Sequence, residues 1–166
     1  MPRPLLALIA LLLCIAAGAR AQERHLLIME PEIEGDTSPL GQAGYAERLD
    51  RTSDFITASL AGVYAIVPAA RADVSLAKHR RRAKVHMCAP CAMESGREAG
   101  ADRTLQVWVF RMSALVLSMQ AVLRDVETGE VRYATAHDFR GDTEAAWRHA
   151  ANRLVAGIAA IPPKDR

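Results

Sequence analysis

The chain has 166 residues, 21 Lys and Arg against 19 Asp and Glu, a formal net charge of +2, and 51% hydrophobic residues. That near-neutral balance offers no electrostatic basis for binding nucleic acid, whose phosphates select strongly basic surfaces. The length suits one ordinary domain with a sizeable core, without dependence on disulfides.

The chain opens on Met1-Pro2-Arg3-Pro4, runs through unbroken apolar sequence from Leu5 to Ala17, and reaches Gly18-Ala19-Arg20-Ala21 before Gln22. A charged start, a short apolar core and an Ala-x-Ala ending predict a cleavable signal peptide over residues 1–21. The apolar run is 13 residues, short of the roughly 20 that span a bilayer, which argues against a membrane anchor. Cys14 follows Leu11-Leu12-Leu13, without the small residue expected before a lipidated cysteine, and apolar residues continue after it. Cleavage would leave residues 22–166 as a single periplasmic domain with no membrane insertion. Arg3 and Arg20 would leave with the leader, reducing 21 basic residues to 19 against 19 acidic ones, and only Cys88 and Cys91 would remain of the cysteines.

In the mature chain, His25 to Met29 reads as a short strand ended by Glu30-Pro31. Glu34 to Gly44, rich in Gly, Asp, Ser and Pro, reads as a loop. From Tyr45 to Leu60 the apolar residues Leu49, Ile56 and Leu60, with Phe55 beside them, oppose a charged face, predicting an amphipathic helix stopped at Gly62. Val63 to Val67 is a second strand closed by Pro68. Ala69 to Lys84 is helical in part, and Cys91 to Ala99 is a short helix ended by Gly100. Thr104 to Met112, Leu115 to Asp125 and Glu130 to Phe139 form an antiparallel meander, with Gly129 in the second hairpin. Asp142 or Thr143 caps a last helix to about Ile161, with Trp147, Leu154, Val155 and Ile158 mostly on one side, ended by Pro162-Pro163. The order β-α-β-α-β-β-β-α predicts an α+β fold, a mixed sheet of about five strands with covering helices.

Cys88-Ala89-Pro90-Cys91 is the sharpest chemical signal. In an oxidising compartment two thiols at this spacing pair as a disulfide by default. Closing a four-residue loop contributes only about 2 kcal/mol in the chain-entropy model, so stability is a weak reason for the spacing. A Cys-x-x-Cys at a helix start can instead lower the first thiol's pKa, helped by Arg80, Arg81, Arg82 and Lys84 upstream, which would suit thiol–disulfide exchange through Cys88 and Cys91. The segment before it is no buried strand, however, and no proline stands ready for the cis-proline role of a thioredoxin-like domain. A third reading takes His86, Cys88 and Cys91 as soft ligands for copper or zinc, with His79 nearby. No second ligand pair completes a structural zinc set, and Ala92 stands where a c-type haem attachment needs His.

The remaining features read as architecture. The basic run Lys78 to Lys84 is a solvated helix face. Arg140-Gly141-Asp142 has the letters of an adhesion tripeptide, but a strand end, a turn glycine and a helix cap account for it. Trp108 and Trp147 are core residues. The histidines at 25, 79, 86, 137 and 149 assemble no triad, and no Gly-rich phosphate loop is present.

In the order of these motifs the chain resembles a family of small, uncharacterised secreted proteobacterial proteins carrying a domain of unknown function. The residues concerned are Leu60-Ala61-Gly62-Val63-Tyr64, the Cys-x-x-Cys before a helix, Gly100-Ala101-Asp102, Asp125 to Gly129, and Arg140-Gly141-Asp142-Thr143 with Trp147. The resemblance implies an accessory role beside periplasmic quinoprotein alcohol dehydrogenases and cytochromes of methylotrophic bacteria. The strand order also resembles the N-terminal domain of the Tol-system β-propeller protein, a periplasmic interaction module.

The expectation is therefore a periplasmic accessory or binding protein, without catalytic activity or cofactor, that takes a protein partner and carries Cys88–Cys91 as a local disulfide. The alternatives are a redox protein acting through the same pair, and a copper or zinc carrier using Cys88, Cys91 and His86.

Overall fold

A computed structural model describes residues 24–162, apart from 39, 82 and 83. The predicted signal peptide and Cys14 lie outside the described residues. Among those described, no helix is long and apolar enough to cross a membrane.

The elements in chain order are β1 (His25–Ile28), β2 (Glu32–Gly35), α1 (Gly41–Leu60), β3 (Ala65–Val67), a 3₁₀ turn (Ala69–Ala72), α2 (Asp73–Arg80), a second 3₁₀ turn (Val85–Met87), α3 (Ala89–Ala99), β4 (Arg103–Arg111), β5 (Val116–Asp125), β6 (Val131–Arg140) and α4 (Glu144–Ala159). The sheet runs β3-β1-β4-β5-β6, with β2 also paired to β4. β1 is parallel to β3 and β4, β2 is parallel to β4, and β4-β5-β6 is the expected antiparallel meander. This is the predicted α+β fold with a mixed sheet, and it has one strand more than expected.

That additional strand is β2. It holds a single strongly apolar residue, Ile33, so its sequence carries no strand periodicity, and β4 supplies the pairing that makes it a strand. Leu26 pairs with Arg103 and Ile28 with Leu105, whereas Glu32 pairs with Trp108 and Gly35 with Arg111. Between Ile28 and Glu32 the chain takes four steps while β4 takes three, so β1 and β2 are one strand interrupted by a single extra residue at Met29-Glu30-Pro31. Side chains alternate with a period of two, and one extra residue exchanges the faces. Leu26 and Ile28 join the larger core, and beyond the interruption Ile33 takes that side. Glu32 and Glu34 are turned to the opposite face. The second segment ends at Gly35, whose φ is +95°; a Cβ there would lie 2.1 Å from the carbonyl oxygen of Arg111.

Helices α1 and α4 pack on one face of the sheet. Their core joins Tyr45, Ile56 and Leu60 to Leu105, Val107, Leu117, Leu123, Trp147 and Leu154. Phe139 meets Trp147 edge-on at 6.0 Å between centroids, a favoured aromatic geometry. Helix α1 begins four residues earlier than the periodicity predicted, and it closes on Ala61 with right-handed backbone rather than on a left-handed Gly62. Thr143 caps α4, its side chain accepting the Ala146 N–H.

The other face holds a smaller core of Leu27, Met29, Val67, Leu76, Val85 and Ala92, formed with α2, α3 and the two 3₁₀ turns. Helix α3 sits close because its buried stripe is small, namely Cys91, Ala92, Ser95, Gly96 and Ala99. A Cβ on Gly96 would come within 2.5 Å of Val126. Trp147 is core, as expected, but Trp108 is half-buried on this second face.

Candidate functional site

The cysteine pair forms where α3 begins. Cys88 is the N-cap, Pro90 follows in the first turn, and the two cysteines are joined as a disulfide with Cα atoms 5.2 Å apart. The Cys91 backbone N–H donates to Cys88 Sγ at 3.3 Å, which uses one of the donors a helix start leaves without an intrahelical partner. The helix runs 11 residues to a left-handed Gly100, and its first turn contains no acidic residue. The two residues differ in exposure: Cys91 is 8% exposed, whereas Cys88 is half-buried. Met87 beside it is 74% exposed.

Of the upstream cations expected to act on the thiol, Arg80 and Lys84 are paired with carboxylates and Arg81 donates to the Ala77 carbonyl. Lys78 pairs with Glu94 at 2.7 Å, Arg80 pairs with Glu30, and Lys84 pairs with Glu34 at 2.6 Å. Lys84 hydrogen-bonds to Glu34, and this outweighs partial burial and holds that carboxyl below its ordinary value. Arg82 lies outside the described residues. The run is not a uniformly solvated face, since His79 is buried against Glu94 at 3.2 Å.

His86, the third residue of the metal reading, is turned toward β2. Its Nδ1 is 2.5 Å from Glu32 Oε2, its Nε2 is 3.5 Å from Glu34, and its ring stacks on Trp108 at 4.9 Å. Glu32 also accepts the backbone N–H groups of Val85, at 3.1 Å, and His86, at 2.9 Å. Gln106 Nε2 donates to the Val85 carbonyl at 2.7 Å. The turn that delivers Cys88 is thus clasped by the carboxylate that the strand interruption aims at it. Beside the clasp is a cleft of 190 Å³ lined by Met29, Pro31, Leu76 and Val85, with Glu32 and Arg80 on its polar side. Among the described residues, no group of three or more His, Cys, Asp and Glu has the geometry to hold a metal ion.

Two further polar clusters lie within the fold. Asp142 accepts from Tyr45, from Arg48, from Trp147 Nε1 at 2.9 Å and from Arg111 Nε at 3.4 Å. Burial pushes its carboxyl up, but hydrogen bonds from Tyr45 and Trp147 and the charges of Arg48 and Arg111 outweigh burial and hold it below the usual carboxylate value. The Asp of the Arg-Gly-Asp tripeptide therefore faces inward. At the other end of the sheet Arg103 meets Asp125 at 2.5 Å, and Asp125 also accepts the N–H groups of Glu127 and Thr128. Burial raises the Asp125 carboxyl, and the Thr128 N–H and the Arg103 charge more than reverse it.

A family match spans residues 30–158, from the strand interruption to the last turns of α4. The chain belongs to the DUF3280 family. That family is described as "Protein of unknown function (DUF2380)". No curated protein gives a match. Among solved structures, this DUF3280 chain is similar to lipoprotein GNA1162 from Neisseria meningitidis, with 18% identity and a TM-score of 0.49 over 82% of this chain and 97% of that one. It is similar to the LpoB C-terminal domain from Salmonella enterica, with 18% identity and a TM-score of 0.45 over 76% of this chain and 91% of that one. It is also similar to the PelC dodecamer protein from Paraburkholderia phytofirmans, with 20% identity and a TM-score of 0.44 over 89% of this chain and 93% of that one.

Proposed function

We propose that the protein is exported through a cleavable leader over residues 1–21 and that residues 22–166 act in the periplasm as an accessory or binding domain. It takes a protein partner and has no catalytic activity of its own. The observation that carries this reading is the use of the polar clusters. Asp142 joins α1, β4 and the start of α4, Asp125 holds the β5–β6 turn, and Glu32 clasps the Val85–Met87 turn. Each carboxylate is consumed in joining elements of the fold. The motif resemblance supports a setting beside quinoprotein alcohol dehydrogenases. His86 supports the copper or zinc reading less, because both of its ring nitrogens face carboxylates.

Two measurements test the reading. N-terminal sequencing of the protein from a periplasmic fraction is expected to begin at Gln22; retention in the cytoplasm with Met1 in place would overturn export. Deleting the gene from a methylotrophic host is expected to lower the periplasmic quinoprotein dehydrogenase activity of cells. Unchanged activity would remove that setting, and turnover of a substrate by the purified protein would overturn the non-catalytic role.

A further inference from the structure

We propose that Cys88–Cys91 is a thiol–disulfide exchange site for a dithiol on a partner protein, with Cys88 as the attacked sulfur and Cys91 as the one that leaves. The proposal rests on the export reading for its oxidising compartment, and it replaces the non-catalytic part of that reading, since repeated exchange at this pair is a redox activity.

Three features of the structure converge on this assignment. The first is the difference in exposure, with Cys91 8% exposed on the buried stripe of α3 and Cys88 half-buried at the helix tip. Cys88 is the more open of the two residues to an incoming thiolate. The collar around it is also open, since Met87 is 74% exposed and Pro90 is exposed on the other side.

The second is electrostatic. The Cys91 N–H points at Cys88 Sγ from the start of an 11-residue helix with no acidic side chain in its first turn. A helix N-terminus favours negative charge, and a thiolate there is a better leaving group and a better nucleophile at neutral pH than an ordinary thiol. Arg80 and Lys84 are paired with Glu30 and Glu34, so the helix terminus is the stabilising feature that the structure places at this sulfur.

The third is the support behind the site. Cys88 sits between a helix and a turn held by Glu32, Gln106 and the Trp108 stack. The fold keeps both elements in place without the covalent link, whose four-residue loop adds only about 2 kcal/mol. Opening the bond therefore leaves the site assembled.

The exchange balances as follows. A partner thiolate attacks Cys88 Sγ, the Cys88–Cys91 bond breaks, and Cys91 leaves as a thiolate that takes a proton from water. A second partner thiolate then attacks the partner sulfur of the mixed disulfide. The partner disulfide closes and Cys88 leaves as a thiolate facing the Cys91 N–H. Two electrons pass from the partner dithiol to the cysteine pair; the two partner protons go to the solvent, which returns one to Cys91 and leaves Cys88 as the thiolate.

The test uses the exported protein and glutathione as the probe. The Cys91→Ser variant, with Cys88 as its free thiol, is mixed with oxidised glutathione at pH 6 and mixed-disulfide formation is followed by mass spectrometry. Cys88 is expected to react at least ten-fold faster than free cysteine, and Cys91 in Cys88→Ser at least ten-fold more slowly than Cys88. The unsubstituted protein, equilibrated with graded glutathione mixtures, should pass reversibly from disulfide to dithiol while keeping its circular dichroism. Equal rates for Cys88 and free cysteine would overturn the proposal. So would a bond that stays fully oxidised in excess reduced glutathione, the behaviour of structural disulfides. If either variant fails to fold, the titration of the unsubstituted protein decides. Failure here leaves export intact, since export is read from the N-terminus at Gln22.

Discussion

Glu32 grips His86 twice, accepting its backbone N–H at 2.9 Å and lying 2.5 Å from its ring Nδ1. The same carboxylate accepts the Val85 N–H. Glu32→Ala removes the acceptor from two part-buried backbone donors, a loss of about 2 kcal/mol in unfolding free energy by urea denaturation. Hydrogen exchange should speed up at Val85 and His86 before it does in β4. Glu32→Gln keeps an acceptor in place and should recover much of the loss.

Asp142 is the carboxylate on which Tyr45, Arg48, Arg111 and Trp147 converge. Asp142→Ala leaves two largely buried guanidinium groups without it, and a cost of about 3–5 kcal/mol is expected from breaking buried pairs of this kind. Thermal unfolding of the variant against the parent measures it.

Asp142 and Asp125 also set the acid limb of stability. Both carboxyls are held below their ordinary value in the folded protein, so the unfolded chain binds more protons as the pH falls. Their contribution is complete above about pH 5 and is lost progressively as the pH drops through about 4 and below. The melting temperature should therefore fall below about pH 5 as these two contributions are lost. Asp142→Asn should melt lower at neutral pH and show a shallower acid limb.

Two glycines make a matched pair of tests. Gly35→Ala forces a left-handed backbone on a residue whose Cβ would lie 2.1 Å from the Arg111 carbonyl oxygen, and about 3 kcal/mol or more of destabilisation is expected. Gly62 has nothing within 4 Å of an added Cβ and no positive φ. Gly62→Ala is expected to be neutral or stabilising by about 0.5 kcal/mol, through the unfolded chain.

Replacing both cysteines with Ala should leave the fold intact and lower stability by about 2 kcal/mol. Chemical denaturation with matched circular dichroism spectra checks this. A larger loss would mean that the bond supports more of α3 than its short loop accounts for.

What the sequence determined by itself is local. The cysteine spacing lies at the start of α3, Gly100 marks its end, Asp142 or Thr143 marks the start of α4, and Gly129 sits in the hairpin that sets the β5–β6 pairing. Each of these rests on residues a few positions apart, whose backbone preferences act wherever the chain goes. The mixed sheet with covering helices was legible for the same reason, from the periods of the apolar residues. Tertiary structure decided the rest. β2 exists because β4 offers it hydrogen bonds, and one extra residue before it turns Glu32 rather than Ile33 toward the cysteine-bearing turn. The partners of Glu32 and Asp142 lie 54 and 97 residues away, a separation that carries no sequence pattern. For that reason His86, which stands beside the cysteines in the chain, faces two carboxylates, and Arg80 and Lys84, read as cations for the thiol, are paired across the fold. The spacing of Cys88 and Cys91 is written in the chain, but which of the two residues is buried depends on how α3 packs against the sheet.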